Sequence, residues 1–241
     1  MRSFAAQTEG ARPMIVIRNA RVRRILKAVI PAAAIPAVIA AGVLLFDEKR
    51  WAFVSLAVTL LSLALFLCGF EKKKIGARRA VVVAVMVALS VAGRFIPLFK
   101  PVTALTIITA MYLGGEAGFL VGALSAVISN FYFGQGPWTP FQMFAWGMIG
   151  LFAGLLAKWL RKSRLLLLCY GLLSGAAFSM MMDVWTVLWY SGGLSWGAYL
   201  AALASAAPYT VLYSVSNVIF LLLCAGPFGE KLERVRVKYG I

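Results

Sequence analysis

The chain has no histidine, and it has only eight acidic residues against 24 Lys and Arg in 241 positions. Without histidine, the commonest general base and metal ligand is missing. Three cysteines, Cys68, Cys169 and Cys224, lie far apart within apolar segments. That spacing gives neither a metal site nor a disulfide framework, and they read as small buried hydrophobes. No Gly-Lys dipeptide occurs, which removes the phosphate loop of NTPases and ATP hydrolysis by that route. The acids are too scattered to hold Mg²⁺ for phosphoryl or prenyl transfer. Alternating strand patterns are absent too, which disfavours an outer-membrane barrel. Neither catalysis nor a bound cofactor or metal is expected.

What fills the chain is hydrocarbon. Hydrophobic residues make up 62% and charged residues 13%, and mean hydropathy is +0.89. Several runs reach the roughly 20 apolar residues that a helix needs to span a bilayer. The fold class is therefore all-α, a polytopic membrane helical bundle. The net charge of +16 is confined to the ends of apolar runs, where it reports topology. No basic face with base-reading side chains can be drawn, so nucleic acid is not a partner. The first apolar run is longer than the core of a signal peptide and lacks a cleavage site, which makes it a retained anchor.

Runs bounded by charge, Gly or Pro predict helices over 25–46, 51–70, 77–96, 102–113, 117–131, 140–158, 164–190 and 198–224. Pro31 and Pro36 predict kinks in the first. Of the Lys and Arg residues, 20 fall on one side of this arrangement and four on the other. The positive-inside rule then puts both termini in the cytoplasm, provided 102–113 and 117–131 cross or re-enter separately. Four regions follow: a basic, aperiodic segment 1–24, an accessory hairpin 25–70, a six-helix core 77–226 and a basic tail 227–241.

Asn130-Phe-Tyr-Phe-Gly-Gln-Gly-Pro-Trp-Thr-Pro-Phe-Gln-Met-Phe-Ala-Trp146 is rich in rings, amides and glycines and has no formal charge. An aromatic belt needs Trp and Tyr only. Asn130, Gln135 and Gln142 beside two prolines fit a rim that holds a flat, neutral molecule. Asp183 is the one carboxylate deep in a long apolar helix, near Trp185 and Trp189. Such a charge faces either a ligand or a partner such as Arg94. Arg94 itself reads equally as a snorkelling anchor. Tyr209, Tyr213 and Asn217 share a face, with Asn217 deep enough for an interhelical hydrogen bond. Ala80, Ala84, Ala88 and Ala92 form a flat stripe, suited either to internal packing or to a separate membrane subunit.

The Ala-x-x-x-Ala ladder 80–92, the loop Gly134-Gln-Gly-Pro-Trp-Thr-Pro140 and the ending Lys231-Leu-Glu-Arg-Val-Arg-Val-Lys-Tyr239 resemble the substrate-binding (S) components of energy-coupling factor (ECF) vitamin transporters. The resemblance covers about 77–241. It implies a subunit of the bacterial or archaeal cytoplasmic membrane that captures a vitamin at the outer face. It also implies that the alanine stripe docks a transmembrane T component coupled to two ATPases. The loop is most similar to cobalamin-type members, which puts a corrinoid first and a flavin or another heterocycle next. Trp138, Trp146 and Trp185 would then stack on the guest, while Gln135, Gln142 and Asp183 hydrogen-bond it. The rival classes are a stand-alone carrier or membrane enzyme, and a non-transporting scaffold.

Overall fold

The computed structural model describes residues 17, 19–45, 51–69 and 73–239. Residues 1–16 and Arg18 of the basic segment, Lys49, Arg50 and the side chains of the 71–76 linker lie outside the described residues. Helices account for nearly all of the rest, and no strand occurs among the described residues.

The first helix, α1 (Ala20–Val29), starts five residues before the predicted edge, because the Asn19 side chain caps the amides of Arg21 and Val22. Pro31 has no N–H to give, and the helix widens there into a π turn over Ile30–Ala34 before resuming as α2 (Ile35–Leu45). Next come α3 (Trp51–Leu67), α4 (Lys73–Gly93), α5 (Val102–Leu113) and α6 (Gly115–Phe133). The chain closes with α7 (Trp138–Leu155), the short α8 (Ala157–Leu160), α9 (Arg164–Tyr190) and α10 (Trp196–Tyr239). By length and composition, Ala20–Leu45, α6, α9 and α10 can each cross a membrane, while α3 and α5 are apolar but shorter.

At the centre stands α5. Every residue from Val102 to Met111 is buried, as expected of a helix that is apolar all round. Its 12 residues span only about 18 Å, but neighbouring helices α4, α6, α7, α9 and α10 enclose it, so it does not have to meet lipid. Gly114, at φ 92°, reverses the chain into α6, so 102–113 and 115–133 run antiparallel rather than as one span. Small residues let α6 and α7 touch backbone to backbone: a Cβ on Gly122 would lie 2.6 Å from the Trp146 carbonyl oxygen.

One predicted boundary and one burial expectation need correction. The last helix does not stop at residue 224 but continues to Tyr239 through Pro227, so the basic tail is helical. Pro227 lacks one amide hydrogen, which loses a single bond to the preceding turn without ending the helix. Cys169 is also not a buried hydrophobe: it stands exposed on α9, whereas Cys68 is buried and Cys224 half-buried.

Candidate functional site

Opposite ends of the bundle gather different chemistry. At one end Glu116 meets Lys27 at 2.5 Å and Arg79 at 3.6 Å, and Arg79 also donates to the carbonyls of Gly69 and Leu113. Helices α1, α4 and α6 and the end of α3 are stapled there. The other end holds most of the residues selected from the sequence.

Arg94 follows the last turn of α4 and is only 8% exposed. Its guanidinium donates to Ser129 Oγ at 2.5 Å and to Asn130 Oδ1 at 2.7 Å. It also lies over the rings of Phe133 and Trp146, at 4.9 and 5.4 Å. Neither a snorkelling role nor an ion pair with Asp183 describes it: it is an inward-turned cation held by neutral groups. The Asn130 amide donates onward to Thr139 Oγ1 at 2.9 Å and to Gln142 Oε1 at 2.8 Å. Thr139 in turn donates to Gln135 Oε1 at 3.0 Å. Gln135 Nε2 closes the turn on the Val127 carbonyl at 2.7 Å, so both ends of this amide hold the loop.

That loop is short, spanning 134–137 between α6 and α7. Gly134 takes φ 103°, and Gly136 leaves the space that the Trp138 indole fills. Trp138 meets Trp185 edge to face at 5.7 Å. Trp146, buried on α7, donates its indole N–H to Thr103 at 3.2 Å and stacks on Phe178 at 4.6 Å with the planes 14° apart. Tyr213 closes on the same Phe178 at 5.5 Å and lies within electrostatic reach of both Arg94 and Asp183. Asn217 makes the expected interhelical bond, to the Gly171 carbonyl at 3.0 Å, while Tyr209 is exposed.

Buried polar atoms here without a hydrogen-bond partner include Nε of Arg94, Oδ2 of Asp183 and Nε1 of Trp185, alongside Nε1 of Trp51. A buried polar group left unpaired costs about 1–3 kcal/mol. Just outside the helices, Lys100 tethers the connection between α4 and α5 through its backbone to Ser216. Partial burial, and then the positive Arg94, push its amine below the usual lysine range. A cleft of about 490 Å³ opens beside the loop, with Trp51, Ser55 and Thr59 of α3 on one wall and Phe131, Gln135 and Gly136 on the other.

Reading the sequence alone did not select Thr103, Ser129, Thr139 or Phe178, which the structure joins to the residues chosen from it. Thr139 lay inside the selected loop, but nothing set Phe178 apart from the other 15 phenylalanines. The spelling G-x-S-x-G does occur, at Gly193-Leu-Ser-Trp-Gly197. It sits at an exposed helix–helix connection, where Ser195 Oγ faces the Ala198 amide at 3.5 Å. No histidine exists to activate it, and the strand-to-helix elbow is missing.

The alanine stripe faces outward: Ala84, Ala88 and Ala92 are exposed and Ala80 is half-buried. Helix α3 packs on α6 and α7, so the accessory helices leave that face open. The buried face of α4, with Val83, Met86, Val87 and Ser90, turns toward the core.

Among known families, the model described as the ECF-type riboflavin transporter, S component, matches residues 74–234. No curated protein and no solved structure matches the chain.

Proposed function

The chain belongs to the family of ECF-type riboflavin transporter S components, and from that premise we propose that it captures a flavin at the end of the bundle that holds Arg94 and Asp183. It is an integral membrane protein, and as an S component it is a transporter subunit rather than an enzyme. Between the two guests expected from the sequence, the family match favours the flavin over the corrinoid. The observation that carries this reading is the set of unpartnered buried atoms, two donors on Arg94 and Trp185 and one acceptor on Asp183. That set is complementary in kind to the imide edge of an isoalloxazine, which offers two carbonyls and one N–H. Trp146 and Trp138 supply flat apolar surface for the fused rings. Asn130 and Gln142, with Gln135 holding the loop, fix the network around Arg94.

In this reading the binding end faces outward, the termini are cytoplasmic, and α1–α3, which precede the matched region, are an addition to a six-helix core. Ala84, Ala88 and Ala92, with Ala80, dock a T component that works with two ATPases; the openness of that face supports this.

The test is a titration of the purified full chain with riboflavin, followed by quenching of flavin fluorescence, with cyanocobalamin as competitor. Saturable quenching that cyanocobalamin does not relieve is expected. Asp183→Asn replaces the acceptor by a donor and lowers affinity about 30-fold, with the far-UV spectrum retained. Preferential binding of the corrinoid, or a flavin affinity indifferent to both Asp183→Asn and Trp146→Ala, overturns the assignment.

A further inference from the structure

At the stapled end, a recess of about 530 Å³ opens between α5, α7, α8 and the distal part of α10. Small apolar residues of α5 and α7 line it together with four cations, Lys158, Arg161, Lys162 and Arg236, and no acid. An adjoining recess of about 830 Å³ shares Tyr112 and Arg161 and adds Arg234 and Lys238, with Glu230 and Glu233.

The two acids are already engaged. Glu233 lies 3.6 Å from Arg161 and 3.2 Å from Arg236, and Glu230 is 3.9 Å from Arg234. Among the described residues, Lys158 and Lys162 have no acidic partner. Arg161 is also braced, with its guanidinium 5.2 Å above the Tyr112 ring. Charges of one sign gathered around a concavity repel one another and focus their field into it. Basic residues that only report topology do not need a hollow between them.

The surroundings identify what fills it. Leu155, Leu156, Trp159 and Leu165 are exposed on the same short stretch of chain, interleaved with Lys158 and Lys162. An exposed apolar band ending in a tryptophan and then in cations marks the depth where acyl chains give way to headgroups. We propose that this recess binds the phosphodiester headgroup of an anionic phospholipid. Lys158, Lys162 and Arg236 contact the phosphate oxygens, and the acyl chains lie along Leu155, Leu156 and Trp159. This site is independent of which vitamin the opposite end takes.

Native mass spectrometry of the full chain, released from detergent after titration with phosphatidylglycerol, phosphatidylcholine or inorganic phosphate, tests it. Saturable phosphatidylglycerol adducts are expected in clear excess over phosphatidylcholine. Lys158→Gln and Lys162→Gln each weaken them about fivefold. Both side chains are exposed, so size-exclusion elution should not change. Arg21→Gln with Arg24→Gln, exposed cations of α1 on the same end, should leave the adducts unaltered. Equal retention of the two lipids, or equal weakening by the α1 pair, overturns the proposal. Retention of inorganic phosphate as tight as that of the lipid overturns the lipid assignment.

Discussion

Arg79 sits on α4 and Arg94 just past its last turn, about 22 Å apart along its axis, and both are at least nine-tenths buried. Their surroundings differ in one respect. Arg79 shares the carboxylate of Glu116 with Lys27 and caps two backbone carbonyls. Arg94 has a hydroxyl, an amide oxygen and two ring faces but no carboxylate partner, and Asp183 on α9 has an oxygen left without a partner. The first arrangement is compensated and holds helices together. The second leaves a buried cation without a counter-charge, which the proposed ligand would complement.

The largest effect is expected at the uncompensated end. Arg94→Gln should weaken riboflavin binding about 100-fold, since truncating a buried, hydrogen-bonded charge costs 2–5 kcal/mol. An unchanged titration would make Arg94 a structural pin like Arg79 and erase the contrast. Next is Glu116→Gln, which leaves Lys27 and Arg79 facing a neutral amide. Loss of a buried pair costs about 3 kcal/mol or more. Because Glu116 keeps 15% exposure, about 2 kcal/mol is expected, read as a lower unfolding midpoint in detergent with riboflavin affinity unmoved. Between the two arginines runs the open alanine face. Ala84→Leu with Ala88→Leu should reduce uptake about tenfold through a misfitted helix contact, while binding to the isolated subunit persists. Smallest is Lys27→Gln: its side chain is 36% exposed and Arg79 remains, so thermal unfolding should register at most about 1 kcal/mol.

Much of this was legible in the residues, and the reasons are specific. The reversal between α5 and α6 followed from counting Lys and Arg, because charge at the ends of apolar runs is costly to misplace. Asn130 and Gln142 stood out because amides are rare in such runs, and the structure joins them through one hydrogen bond. Phe178 could not be found this way. Its importance lies in resting on Trp146, a contact between helices that no local pattern encodes. The end of α10 was misread for the opposite reason: Pro227 and a rise in charge look like a stop signal, but one missing amide cannot halt a helix anchored on both sides of it. Gly229 packs against Tyr112, and Glu233 reaches Arg161.

That single long helix, continuous through Pro208 and Pro227, has a mechanical consequence. At 44 residues it measures about 66 Å, against a hydrocarbon layer of about 30 Å. The excess length carries it past the hydrocarbon while its distal turns still pack on the bundle through Gly229 and Glu233. Rocking of the bundle by about 10° would sweep the far tip through about 6 Å, enough to make or break a contact at the water boundary. A small rotation within the lipid would thus become a larger displacement at the water boundary.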